Sequence, residues 1–174
     1  MTVVSITDIQ LQKLSTQVGD ALMAQDLMLA CAESCTGGWV AKSLTDIPGC
    51  SHWFDRGFVT YTNRAKQEML GVDAILLDRH GPVSEAVVRA MADGAVAHSQ
   101  ADIALGISGI AGPGGGSEDK PVGLVWFAWA RKTETGHLKR VSRQQIFAGD
   151  REAVRRQAVA HALQGVLAIL NEQT

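Results

Sequence analysis

Two short apolar runs, Leu27–Ala32 and Ile103–Ile110, restrict the fold of this chain more than anything else in it. Each is short for a helix and apolar on both faces, the pattern of a strand in a parallel sheet covered by helices on both sides. Between and around them the pattern changes to a helical period. Leu11, Leu14, Val18, Leu22 and Met23 recur at three or four residues ahead of the first run, which predicts an amphipathic helix. Trp39–Ile47 is helical in length, with Gly37 and Gly38 at its mouth and Pro48-Gly49 closing it. Gly57–Thr62 is rich in β-branched and aromatic residues and reads as a strand. Ser84 is a good N-cap for a helix reaching about Ser99. Val122–Ala130 and Leu138–Phe147 read as antiparallel strands joined through the turn residues Glu134-Thr135-Gly136. Asp150 caps a last helix, with Val159, Leu163, Val166 and Leu170 as its apolar stripe. The expected fold class is α/β, a three-layer α/β/α sandwich with a mixed central sheet. Its ligand site is expected at the carboxyl ends of the parallel strands.

Composition narrows the class. A length of 174 residues suits a single domain, here residues 1–174. With 46% hydrophobic and 20% charged residues, the chain is neither disordered, collagen-like nor a coiled coil. A net charge of −2 argues against a broad basic face for nucleic acid. No apolar run approaches the ~20 residues that span a bilayer, so no membrane partner is expected. Asp8, Gln10, Gln12 and Lys13 interrupt the amino-terminal segment, which does not read as a signal peptide. Three cysteines without framework spacing fit a reducing compartment, and the expected location is the cytoplasm.

Three segments are candidates for chemistry. In Ala32-Glu33-Ser34-Cys35-Thr36-Gly37-Gly38 a strand ends and a helix begins behind two glycines. Its exposed N–H groups suit an anion or a polar substrate group, and a plain capped turn explains the same residues equally well. The stretch from Ser108 and Gly109 through Gly112 to Gly123 is glycine-rich. It fails both the dinucleotide and the phosphate-loop spacing, yet a long loop at a strand's carboxyl end is often functional. The third segment combines Gly49-Cys50-Ser51 with Tyr61 and Lys66. A serine needs a base to take its proton, and a neutral lysine in a low-dielectric pocket can be one, but that spacing alone carries no weight. Cys31 with Cys35, and Cys50 with His52, lack the paired spacing of a zinc site, so no metal is expected. Residues 131–156 hold half of the basic side chains. Most read as a solvated face, while Arg151 opens a helix where it could meet a phosphate.

Taken together, the segments 32–38, 57–66 and 108–117, with Gly81-Pro82-Val83-Ser84-Glu85 and Gly149-Asp150-Arg151, resemble the CinA C-terminal domain family. The likeness covers about residues 10–170 and is greatest to its stand-alone nicotinamide-nucleotide amidases. It implies hydrolysis of the carboxamide of nicotinamide mononucleotide, in salvage of pyridine nucleotides, without a cofactor. It further implies a Ser–Lys mechanism with Ser51 as nucleophile, Lys66 as general base and Tyr61 as an assisting hydroxyl. Ser34 and Ser108 would complete the pocket, Ser108 standing where family members often carry threonine. Backbone N–H groups near Gly49 to Ser51 would hold the oxyanion, and one or other of the two glycine loops, with Arg151, would contact the 5′-phosphate. A non-catalytic nucleotide-sensing or partner-binding domain is the alternative from another class, and a Cys50 hydrolase is a third reading. Trp39, Trp53, Phe54, Trp126, Phe127 and Trp129 exceed the needs of a small core. They suggest a covered face and a homodimer.

Overall fold

The computed structural model describes residues 5–172. Residues 1–4, the start of the segment read above as lacking a signal, lie outside them. Strands β1 (Leu29–Glu33), β2 (Phe54–Val59), β3 (Ile103–Gly109), β4 (Leu124–Lys132) and β5 (Leu138–Ile146) form one sheet in the order β2-β1-β3-β4-β5. The first three are parallel, while β4 runs antiparallel to β3 and β5 antiparallel to β4. Glu33 is in register with both Val59 and Ile107, so the three parallel strands end level. Helices α1 (Asp8–Met23), α2 (Trp39–Thr45) and α6 (Arg151–Asn171) cover one face. The other face carries α3 (Asn63–Leu70), α4 (Ala74–His80) and α5 (Glu85–Ala97).

The pleat separates two cores of different grain. Leu29, Cys31, Leu105, Ile107, Phe127 and Trp129 fill the face under α1, α2 and α6. Ala30, Ala32, Ala104, Ala128 and Ala130 make up most of the sheet's side under α5. These short side chains let α5 lie close, and at Gly106 even a methyl is too much, since a Cβ there would stand 2.5 Å from the Val88 carbonyl oxygen. The aromatic surplus is only partly a surface. Trp53, Phe127 and Trp129 are core residues. Trp53 packs on Gly19 of α1, and the Trp129 indole N–H donates to the Ala162 carbonyl at 3.1 Å.

Two features depart from expectation. The strand foreseen at 57–62 starts at Phe54 and ends at Val59, because Thr62 turns away to cap α3 and accepts from the Ala65 N–H. Helices α3 and α4 lack a legible apolar stripe. In α3 the buried i, i+4 pair is Lys66 and Leu70, so the position that would have shown the period is occupied by a lysine. No helix among the described residues is long and apolar enough to cross a membrane.

Candidate active site

The level carboxyl ends of β1, β2 and β3 bring one lysine and one serine together inside the protein. Alternation places Ala30 and Ala32 on the α5 face, and Ser34, one residue beyond β1, follows the same side. Lys66 reaches it from α3 with only 1% of its surface exposed, and Ser34 is 8% exposed. Lys66 Nζ lies 3.0 Å from Ser34 Oγ, 2.8 Å from the Thr60 carbonyl oxygen and 3.4 Å from that of Tyr61. All three partners are neutral oxygens. Burial therefore pulls the Lys66 pKa down to about 8, with the neighbouring Cys35 opposing it. An amine near that value is available as a neutral base close to physiological pH. The two carbonyls can accept its N–H groups and leave its lone pair for the serine proton.

The turn that carries Ser34 is held from both sides. Glu33, fully buried on the opposite face, accepts from the N–H groups of Gly38, Val40 and Ala41 at 3.0, 3.1 and 2.8 Å and from the Thr36 hydroxyl at 2.6 Å. It caps α2 from the strand, because Gly38 at the N-cap position, with φ of +96°, has no side chain to do so. Arg155 of α6 donates to the carbonyls of Cys35 and Thr36, both at 3.0 Å. Neither the Cys35 nor the Thr36 N–H meets a carbonyl acceptor among the described residues. The Cys35 thiol is pushed up to about 12, first by burial and then by Glu33, so it remains protonated.

The other expected residues divide into four groups. Ser108 is buried at the end of β3 on the same face as Ser34. Gly109 closes β3, and a Cβ there would meet Val125 Cγ2 at 2.6 Å. Tyr61, Gly112 and Arg151 form the rim. Arg151 donates to the Tyr61 hydroxyl at 2.9 Å and to the Gly112 carbonyl at 3.0 Å, tying the glycine loop to the end of β2. Thr36 and Gly37 shape the turn, the threonine hydroxyl being committed to Glu33. Gly49 and Ser51 are elsewhere. Ser51 lies exposed in the 3₁₀ turn Cys50–His52, ahead of the first residue of β2. Lys66 follows the last, so the six residues of β2 separate them by ~20 Å at ~3.3 Å per residue.

Ser51 and Lys66 are thus not brought together within the chain, and Gly49, which caps the turn of Ser51, lies with it at the far end of β2 from Lys66. The sequence places Ser34 in the pocket but singles out neither Glu33 nor Arg155. An acid closing a wholly buried strand was the one available signal. Among the described residues no group of three or more His, Cys, Asp or Glu side chains is placed to hold a metal ion.

Comparison with known proteins points to one family. The family model of the CinA C-terminal domain matches residues 11–170. The nicotinamide-nucleotide amidohydrolase PncC of Escherichia coli strain K12 is 58% identical over 159 residues, covering 91% of this chain and 94% of its own. The protein of that name from Pseudomonas putida is 48% identical, with coverage of 91% and 96%. Among solved structures, a CinA superfamily protein from Escherichia coli superposes with a TM-score of 0.87 at 37% identity, covering 97% of this chain and 95% of its own. A competence/damage inducible protein from Agrobacterium tumefaciens gives 0.85 at 41%, covering 99% and 100%.

Proposed function

The chain belongs to the CinA C-terminal domain family, and on that premise we propose that it hydrolyses the carboxamide of nicotinamide mononucleotide to nicotinate mononucleotide and ammonia, with Ser34 as nucleophile and Lys66 as general base. One observation carries the choice of residues: the 3.0 Å approach of a buried lysine amine to the Ser34 hydroxyl. The relatives named for nicotinamide-nucleotide hydrolysis support the choice of substrate.

Neutral Lys66 takes the Ser34 proton as Oγ attacks the carboxamide carbon. The N–H groups of Cys35 and Thr36, which follow Ser34 directly and meet no carbonyl among the described residues, are the donors for the oxyanion, a role worth about 3–4 kcal/mol per donor. Collapse of the tetrahedral intermediate passes the proton from the Lys66 ammonium to the leaving amine, releasing ammonia and leaving a nicotinoyl ester on Ser34. Lys66 then deprotonates water, which hydrolyses the ester and restores the serine. Every step uses the chain's own groups. Ser108 borders the reacting centre, while Arg151 and the Gly112 loop offer a cation and polar backbone for the 5′-phosphate. Tyr61, its hydroxyl bonded to Arg151 at the rim, serves to set that cation rather than to move the proton.

The reading extends to a cytoplasmic enzyme in pyridine-nucleotide salvage, acting as a homodimer. Val59 and Tyr61, 46% and 57% exposed beside the site, are an apolar rim that a second copy can cover, and light scattering at micromolar concentration checks it. The reaction itself is tested by ammonia release from the mononucleotide, with the riboside, free nicotinamide and NAD in parallel. Turnover of the mononucleotide alone is expected, and no release from it would overturn the reading.

A further inference from the structure

We propose that Glu33 and Arg155 are positioning residues for this reaction: Glu33 holds the turn bearing Ser34 through the Thr36 hydroxyl, the Gly38 N–H and the first turn of α2, Arg155 holds it through the Cys35 and Thr36 carbonyls, and together they set the distance from Ser34 Oγ to Lys66. The inference rests on the Ser34–Lys66 reading and adds to it a source for the geometry.

Lys66 is fixed without the turn, by the carbonyls of Thr60 and Tyr61. Whether serine and amine meet therefore depends on where residues 34–38 are held. This turn includes two glycines at positive φ, +60° at Gly37 and +96° at Gly38, the backbone least able to hold itself. The ordinary remedy, a serine, threonine or aspartate at the N-cap, is absent, since Gly38 stands there.

In its place the chain commits a carboxylate with no exposed surface. Among the described residues no cation is paired with it; its partners there are three N–H groups, the Thr36 hydroxyl and the Cys31 thiol at 3.6 Å. Burying an unpaired charge is expensive unless several donors converge on it, and these donors all belong to the strand end, the turn and the first turn of α2. Arg155 takes the opposite polarity of the same segment, bonding the carbonyls of Cys35 and Thr36. Its own position is set by the Trp39 ring, 5.4 Å from the guanidinium carbon to the ring centre. Turning the peptide groups at 35–38 to move Ser34 would break bonds to one charge or the other.

The test uses the full chain and four proteins: the parent, Glu33→Gln, Arg155→Lys and the double variant. Glutamine keeps the shape of Glu33 but turns an NH2 toward backbone donors, and lysine cannot bond two carbonyls as a planar fork. We expect kcat to fall about 30–100-fold in Glu33→Gln and about tenfold in Arg155→Lys, the scale of an ångström-sized misplacement. Binding of nicotinate mononucleotide should stay within about threefold, with one site per folded chain, and the pH midpoint of kcat/KM should not move, since the base is untouched. The double variant should lose far less than the product of the two effects, because either substitution already frees the same turn.

Multiplying effects, or a kcat loss that only tracks a loss of folded, binding-competent protein, would overturn the proposal. So would near-parental kcat in either single variant. If Glu33→Gln does not fold, Arg155→Lys and Arg155→Met decide by the same split. If the parent releases no ammonia from the mononucleotide, the reaction is wrong but the clamp is still read. The rate at which a fluorophosphonate labels Ser34 should fall in both variants, and an unchanged rate would refute it.

Discussion

Ser34 and Ser51 occupy similar sequence settings and opposite ends of the sheet. Each is next to a cysteine and within four residues of a glycine at positive φ. Ser34 follows β1, is 8% exposed, and meets a buried amine. Ser51 precedes β2, is exposed, and lies at the end of that strand away from Lys66. The contrast lies in topology rather than in the serines. Parallel strands gather their carboxyl-end loops into one place, so a residue after β1, one after β2 and one after β3 become neighbours. A residue before β2 is carried to the far end whatever its spacing from Lys66.

The comparison breaks most sharply under substitution at the two serines. Ser34→Ala should lower kcat by at least about 10³-fold, as loss of a nucleophile does, whereas Ser51→Ala should stay within about twofold of the parent. Steady-state ammonia release checks both. Lys66→Arg should be as inactive as Lys66→Ala, about 10²–10⁴-fold down, since an arginine cannot give up its proton. In the parent, kcat/KM should rise with pH and level off above about 8, where burial has placed the Lys66 pKa.

The same burial sharpens the contrast in stability. Lys66 has a folded pKa of about 8 against 10.5 for a free side chain. Between these values the unfolded chain binds the extra proton, so stability rises with pH across that window and is lowest below it. Lys66→Met should therefore gain about 1–3 kcal/mol at pH 7 while losing activity, and urea denaturation measures it. No such gain is expected from changing the exposed Ser51. Arg151→Ala should cost about tenfold in kcat/KM for the mononucleotide and little for the riboside, the signature of remote binding energy spent on the phosphate. The smallest effect is expected at Cys50→Ala, which should leave turnover within about twofold and insensitive to thiol alkylation.

Much of the fold was legible because it rests on periodicity. The apolar runs at β1 and β3, the β4–β5 hairpin, and the caps Ser84 and Asp150 all lie where the residues indicated. The site was less legible, for a related reason. Lys66 occupies the core-facing position of α3, so the burial that lowers its pKa also erased the helix from the pattern. Glu33 closes an otherwise apolar strand, and its purpose appears only when the N–H groups of α2 are seen to converge on it. The aromatic residues misled in the other direction. Trp53 and Trp129 read as surplus until Gly19 and Gly165 are found opposite them, making room for the rings.

The most direct test is to trap the ester. The protein is mixed with nicotinamide mononucleotide, quenched in acid within the first turnovers, digested and mapped by mass spectrometry. The nicotinoyl mononucleotide adduct should sit on the peptide containing Ser34 and be absent from Ser34→Ala. An adduct on Ser51 would contradict the assignment of the nucleophile and, with it, the site at the carboxyl ends of the parallel strands.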